Sequence, residues 1–281
     1  RLPRVGRVST VSALAPVVAI SGAASGIGRA IAQLYASRGA SLALADLDNL
    51  EEVERDCLSR GAKGVLCTKL DVSDRQQVQQ WADKAASQFG EVNVVINNAG
   101  VNLSGCFEKM SREDFEWLMG INFWGVVNGC EAFVPHLKQA SWGHIVNLSS
   151  LFGLIAMPNQ SAYNAAKFAV RGFTESLALE MAQSPYNIGV SSVHPGGIKT
   201  NIVNSARFGQ PQTGSANIEA AKKQFNNKLA RTSAEQAAQI IVRGIDQKKR
   251  RIIVGNDAQF LDIVQRLLPS LYQRLVLRFV P

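Results

Sequence analysis

Tyr163 and Lys167 stand four residues apart in Tyr163-Asn164-Ala165-Ala166-Lys167. On a helix that spacing puts both side chains on one face, with Cβ atoms about 5–6 Å apart. A free phenol titrates near pH ~10 and is a poor base at neutrality. A neighbouring ammonium favours the phenolate and brings the group toward a working pH, where general acid/base catalysis is most efficient. Taken singly, Tyr163 reads as a half-buried helix residue and Lys167 as a solvated one. Chemistry is favoured only if other motifs accompany them.

A second cluster is built to hold an anion. Ser21-Gly22-Ala23-Ala24-Ser25-Gly26-Ile27-Gly28 follows a short apolar run and leads straight into a helical stretch. Glycines at such a junction let the backbone turn tightly and approach a phosphate, while the N–H groups and dipole of the helix favour negative charge. Gly22, Ser25, Gly26, Ile27 and Gly28 are therefore expected to line a dinucleotide pyrophosphate. The spacing is G-x-x-x-G-x-G rather than G-x-G-x-x-G, and its bland alternative is an ordinary tight turn. Asp46 ends the second predicted strand, where a carboxylate accepts hydrogen bonds from ribose hydroxyls and repels a 2′-phosphate, which favours NAD over NADP. Its competing role is to cap a turn before the next helix. Arg29, just after the glycine turn, softens the exclusion of phosphate.

These residues need a scaffold, and the pattern provides one. Short apolar runs at 17–21, 41–45, 64–70, 94–96, 144–148, 189–193 and 251–254 alternate with amphipathic stretches near 27–37, 50–60, 75–89, 112–139, 162–182 and 234–247. Alternation of this kind predicts βαβ units and a single Rossmann-like, doubly wound α/β domain: a seven-stranded parallel sheet flanked by helices, over residues 17–255. Residues 1–16 form a basic N-terminal arm. Residues 201–231, polar and marked by Gly209, Pro211 and Gly214, are expected to be a substrate lid. Residues 256–281 are expected to form one amphipathic helix carrying Arg266, Arg274 and Arg278. Such a helix packs its apolar face on the domain or on another subunit, or less commonly lies on a membrane surface.

Four motifs occur in order over residues 17–254: Gly22-x-x-x-Gly26-Ile27-Gly28, Asn97-Asn98-Ala99-Gly100, Tyr163-x-x-x-Lys167 and Pro195-Gly196. Together they resemble the ordered motifs of the short-chain dehydrogenase/reductase family. The resemblance implies hydride transfer between a nicotinamide cofactor and a secondary alcohol or ketone. It implies that Tyr163 is the general acid/base, and that Lys167 sits beside it and holds the nicotinamide ribose. Ser150 matches the serine that orients substrate and shares its oxygen with Tyr163. Asn122, in Asn122-Phe123-Trp124-Gly125, matches the asparagine that completes the tetrad and binds a water linking Lys167 to solvent. Asp71-Val72 resembles an adenine-contacting pair, and Asn98-Ala99-Gly100 borders the adenosine side. Pro195, Gly196, Ile198 and Thr200 resemble the segment that holds the nicotinamide carboxamide. Ser21 replaces the usual threonine and keeps its hydroxyl. The resemblance also suggests a homodimer or homotetramer built on the helices of Asn122 and Tyr163; it leaves the N-terminal arm and the C-terminal helix uncovered.

Composition narrows the remaining classes. A 281-residue chain with 46% hydrophobic and 19% charged residues can bury a sizeable core and is unlike a disordered chain. The net charge of +8 is spread out apart from Lys248-Lys249-Arg250-Arg251, and no nucleic-acid recognition motif accompanies it, so nucleic acid is not expected as a partner. Cys57, Cys67, Cys106 and Cys130 show no C-x-x-C spacing and His136, His144 and His194 are scattered, so no metal is expected, and reduced thiols suit a cytoplasmic location. No apolar run reaches the roughly 18 residues of a membrane span. The absence of an initial Met leaves room for a segment upstream of Arg1. Leu151, Phe152, Leu154, Ile155, Met157 and Phe208 point to an apolar pocket and a hydrophobic alcohol or ketone. The competing functional class is an NAD-binding sensor or scaffold without turnover, since a fold alone does not settle activity.

Overall fold

A computed structural model of the chain describes residues 15–199, 207–208 and 232–279. The first half runs β1 (Val17–Ser21), α1 (Gly26–Ala36), β2 (Ser41–Asp46), α2 (Glu51–Ser59), β3 (Gly64–Lys69), α3 (Arg75–Phe89) and β4 (Val94–Asn97). The second runs β5 (Leu103–Ser104), α4 (Arg112–Met119), α5 (Gly125–Leu137), β6 (Gly143–Leu148), α6 (Ser161–Gln183), β7 (Ile188–Pro195), β8 (Arg207–Phe208), α7 (Ala234–Asp246), β9 (Arg251–Val254), α8 (Asn256–Leu267) and α9 (Tyr272–Phe279). Seven strands form one sheet in the order β3-β2-β1-β4-β6-β7-β9, and every pairing in it is parallel. The direction of winding reverses between β1 and β4, which opens a crevice at their carboxyl ends, the place where such sheets bind ligands.

The inner strands β1, β2 and β4 are largely apolar because both of their faces are covered. Val18 and Ile20 of β1, with Leu42 and Leu44 of β2, join one core with Ile31 and Tyr35 of α1 and Ile241 of α7. Their neighbours Val17, Ala19, Ala43 and Ala45 point the other way, into a core with Trp81, Phe133, Val170 and Leu177 from α3, α5 and α6. Trp81 and Phe133 meet edge to face at 4.9 Å. Local signals agree with this packing: Asp74 caps α3 by accepting from the N–H groups of Gln76 and Gln77, and Ser233 and Gln236 form a capping box at α7.

Two expected helices differ. The continuous helix over 112–139 is interrupted by a π-turn, Gly120–Trp124, between α4 and α5. Glycine opens the turn and follows it, and a Cβ at Gly125 would meet Val72 Cγ2 at 2.7 Å, so the wide turn follows close packing on the segment after β3. The single helix expected over 256–281 is two helices. Leu268, held out of helical geometry at φ −129° and ψ 62°, precedes Pro269, which disfavours helix at the residue before it. Of the expected lid over 201–231, only Arg207 and Phe208 are described: they pair with Leu103 and Ser104, and the Arg207 guanidinium covers the Trp117 ring at 3.7 Å. The rest of that segment, Thr200 and most of the N-terminal arm lie outside the described residues.

Candidate active site

The glycine turn is held by neighbours that the sequence set beside it. Gly22 and Gly26 have φ of +67° and +54°, a region that glycine enters without strain. A Cβ at Gly28 would lie 2.1 Å from the Gly22 carbonyl oxygen, so α1 can close on the turn only with glycine there. The Asn98 carboxamide donates to the Ser21 and Gly22 carbonyls at 3.0 and 2.9 Å, while Ser21 Oγ accepts from the N–H groups of Asn98 and Ala99. Ser21 thus uses the hydroxyl it shares with threonine. Ser25, the N-cap of α1, makes no side-chain capping bond, which leaves the first N–H groups of the helix facing the turn without an internal partner. This cradle, with no side chain at Gly22 or Gly28, fits a pyrophosphate.

Asp46 reaches into the same turn. One carboxylate oxygen accepts from Ala24 N–H at 2.8 Å and the other from Asp48 N–H at 3.1 Å. These turn-capping contacts leave each carboxylate oxygen a second lone pair. Arg29 is paired with Glu52 at 2.6 Å rather than turned toward Asp46. That ion pair reduces what Arg29 can offer a 2′-phosphate.

An apolar cavity of about 260 Å³ opens at the carboxyl end of the sheet. Ile27, Asn98, Gly100, Ser150, Tyr163, Lys167, Pro195, Gly196 and Ile198 line it, so nine residues singled out in the sequence meet there. Gly22, Ser25, Gly26, Gly28, Asp46 and Ala99 form the turn beside it. Asp71 and Val72 lie apart from the cavity: the Asp71 carboxylate accepts from Ser73 N–H and Oγ–H, and the Val72 carbonyl from Asn128.

Ser150 lies two residues beyond the end of β6 and caps a short 3-10 turn, Leu151–Gly153. Its Oγ accepts from Phe152 N–H at 3.1 Å, which leaves its own hydrogen free to donate into the cavity. Tyr163 and Lys167 share a face of α6, as their spacing requires, and are only 9% and 3% exposed. Burial pushes the Tyr163 phenol above its ordinary value, and the Ser150 hydroxyl offsets part of that rise. Lys167 Nζ donates to the Leu148 carbonyl at 3.0 Å and stands 5.7 Å from the centre of the Tyr163 ring. Loss of solvent pulls its ammonium down to about 8. In the protein alone, then, the phenol is a proton donor at neutral pH and the lysine is close to its titration point.

Asn122 is fully buried in the π-turn. Its carboxamide accepts from Val101 N–H and donates to the Val101 carbonyl, both at 2.8 Å. The side chain is therefore committed to the backbone after Gly100, and any water held here would meet the main chain of the turn.

Three positioning residues escaped sequence reasoning. Asn164 donates to the Phe152 and Ile155 carbonyls and accepts from Met157 N–H, fixing the loop that follows Ser150. His194 Nδ1 lies 3.1 Å from the Ser150 carbonyl. Asp257, at the start of α8, accepts from Gly197 N–H at 2.7 Å, and a Cβ at Gly196 would lie 2.3 Å from the same carboxylate oxygen. The His194 and Asp257 contacts join segments 44 and 60 residues apart, so only the position of Asn164 beside Tyr163 could have hinted at one. Replacing Asp257 by Ala is expected to leave the buried Gly197 N–H unpaired and to cost about 1–3 kcal/mol. Urea unfolding would show this as a lower midpoint, largely restored by Asp257→Asn; an unchanged midpoint in the Ala variant would mean that the turn does not depend on this bond.

A family model for short chain dehydrogenase matches residues 16–210. The Mycobacterium tuberculosis protein SadH, an oxidoreductase by its name, is 46% identical over 264 residues, covering 92% of this chain and 93% of its own. The 3-ketodihydrosphingosine reductase of Bacteroides thetaiotaomicron is 33% identical over 194 residues, covering 69% of this chain and 68% of its own. A short-chain dehydrogenase/reductase from Burkholderia phymatum, solved in complex with NAD, superposes with a TM-score of 0.83 at 30% identity, over 92% of this chain and 95% of that one. The parallel sheet agrees with these matches, and the chain belongs to the short-chain dehydrogenase family of oxidoreductases.

Proposed function

We propose that the protein interconverts a lipophilic secondary alcohol and its ketone, with NAD(H) as the preferred cofactor. The observation that carries this reading is the convergence of Ser150, Tyr163 and Lys167 on an apolar cavity bordered by the glycine turn. Leu151, Phe152, Ile155, Met157 and Leu261 supply half of the remaining lining residues, which suits an apolar substrate. The keto-lipid in the name of the Bacteroides relative has the same chemical character.

When bound, the nicotinamide supplies the hydride for reduction or accepts it in oxidation. Gly22, Ser25, Gly26, Ile27 and Gly28 would hold its pyrophosphate, Asp46 the adenosine ribose, and Lys167 the nicotinamide ribose. Asn98, Ala99 and Gly100 would border the adenosine side, with Asp71 and Val72 left for the adenine. Pro195, Gly196 and Ile198, together with Thr200 of the same segment, would face the carboxamide. In reduction, the Ser150 and Tyr163 hydroxyls donate to the carbonyl oxygen and stabilise the negative charge that grows there. Tyr163 then transfers its proton to that oxygen, and the nearby Lys167 ammonium favours the phenolate left behind. The Asn122 turn would hold the water through which the proton is replaced. The exposed side chains of Trp124, Phe168 and Leu179 suit the burial of α5 and α6 against a second copy of the chain.

The test is nicotinamide absorbance across a panel of secondary alcohols and ketones, with NAD(H) and NADP(H) in parallel. Turnover favouring NAD(H) and apolar substrates is expected. Tight NADH binding with no turnover on the panel would point instead to a sensor. The NAD preference has its own variant. Asp46→Asn keeps an acceptor for Ala24 N–H but loses the charge, so the ratio of kcat/KM for NADP to that for NAD is expected to rise roughly tenfold or more, about 1.4 kcal/mol. An unmoved ratio would dismiss Asp46 as the discriminating group.

A further inference from the structure

The C-terminal helix pair has two faces of unequal character. Inward, Leu261, Val264, Tyr272 and Val276 pack on the loop after Ser150, and Tyr272 Oη accepts from Ala156 N–H at 3.0 Å. Outward, Phe260, Ile263 and Leu267 recur at i, i+3 and i+7 along α8, with Phe260 65% and Leu267 74% exposed. Leu271, Leu275 and Leu277 add exposed apolar surface on and beside α9.

Charge is sorted the same way. Both acids of residues 256–279 turn inward: Asp257 binds Gly197 N–H, and the buried Asp262 lies between Arg251 and Arg266. The three basic residues, Arg266, Arg274 and Arg278, are exposed. An apolar stripe whose exposed charge is wholly cationic is complementary to an anionic bilayer surface. Among the described residues no helix is long and apolar enough to cross a membrane, so this pair would lie in the interface.

We propose that this face docks the protein on anionic lipid membranes, and that α8, whose Leu261 forms part of the cavity wall, brings the cavity beside lipid-dissolved substrate. The second clause rests on the oxidoreductase reading; the docking does not. A second copy of the chain is a poorer occupant, because a two-fold contact here would gather arginines with no exposed acid of this segment to meet them.

Co-sedimentation of the full chain with phosphatidylcholine vesicles, with and without phosphatidylserine, tests this. Binding is expected to be roughly tenfold stronger or more on the anionic vesicles, and to weaken as salt screens the arginines. Both Phe260→Ser/Leu267→Ser and Arg274→Gln/Arg278→Gln are expected to reduce binding to the level of neutral vesicles. Light scattering should find their oligomeric state, and turnover on a water-soluble ketone, unchanged. A vesicle-dissolved ketone should be turned over more slowly by both. No binding, equal binding to both vesicle types, or a stripe variant that dissociates the oligomer while still binding would overturn the docking. Absence of all turnover in the unaltered chain would tell against the oxidoreductase reading and leave the vesicle result standing.

Discussion

Tyr163→Phe is expected to lower kcat/KM for ketone reduction by roughly 10²- to 10⁴-fold, the usual worth of a positioned acid. Only one hydroxyl is lost. The ring keeps its edge-to-face contact with Phe152 at 6.0 Å, and the helix around it is otherwise unchanged. Ser150 remains as a donor to the carbonyl oxygen, but an aliphatic hydroxyl is a far weaker acid than a phenol and cannot take over the proton transfer. NADH affinity, measured by fluorescence, should therefore stay within a few fold while turnover collapses.

The pH profile adds a second observable to this variant. Burial holds the phenol above its ordinary value, so it is protonated through the neutral range. Reduction in the native protein should hold to about pH 8, where Lys167 starts to lose its proton, and fall further as the phenol ionises, whereas oxidation, which needs the phenolate, should rise. The residual rate of Tyr163→Phe should lack that limb. Full turnover in the variant would remove Tyr163 from the proposed mechanism whatever the pH profile showed.

Acid is expected to unfold this protein in a window set by two histidines. His144 and His194 lie in the core, 1% and 0% exposed, and loss of solvent pulls both down to about 4. His144 is further opposed by the charge of Lys248, and His194 by Arg251 and Arg171, although its contact with the Ser150 carbonyl partly compensates. The unfolded chain, with ordinary histidines, binds more protons than the folded one between about pH 6.5 and 4. Stability is therefore complete above that window and drains away as pH falls through it. Each histidine contributes about 2–3 kcal/mol, which together approaches the whole stability of an ordinary domain. Carboxylates held low by partners, such as Glu175 beside Arg251 and Arg171, act in the same direction from the usual carboxylate range downward. Urea midpoints compared at pH 7 and pH ~5.5, above the range where the carboxylates protonate, report chiefly on the histidines. A double variant, His144→Gln with His194→Gln, should be less stable at pH 7 yet lose most of the slope. An undiminished slope in that variant would place the acid sensitivity elsewhere.

The periodic elements were legible because their causes are local. Strands buried on both faces must be largely apolar, and α1, α3 and α6 carry their own pattern, so their predicted limits lie within a residue or two of those observed. The break in the helix after Arg112 was hidden for the opposite reason: it answers to Val72 and Val101, which reach it from other parts of the chain. Pro269 was visible in the sequence, and its break within 256–281 follows from proline chemistry that the amphipathic pattern overshadowed.

The candidate site divides along the same line. Tyr163 and Lys167 could be paired from their spacing, and the glycine turn from its composition, because a helix face and a tight turn are short-range geometry. Ordered motifs added Ser150 and the cavity-lining residues near Pro195. The sequence by itself therefore determined the doubly wound parallel sheet, the family and the residue types available for proton transfer. Tertiary structure decided what those residues feel: the burial that moves the Tyr163 and Lys167 protons apart, the commitment of the Asn122 side chain to Val101, and the ties of Asn164, His194 and Asp257. It also decided which face of the C-terminal helices meets the cavity and which faces outward. Desolvation and long-range hydrogen bonds depend on what the rest of the chain brings into contact, and no local stretch of sequence carries that information.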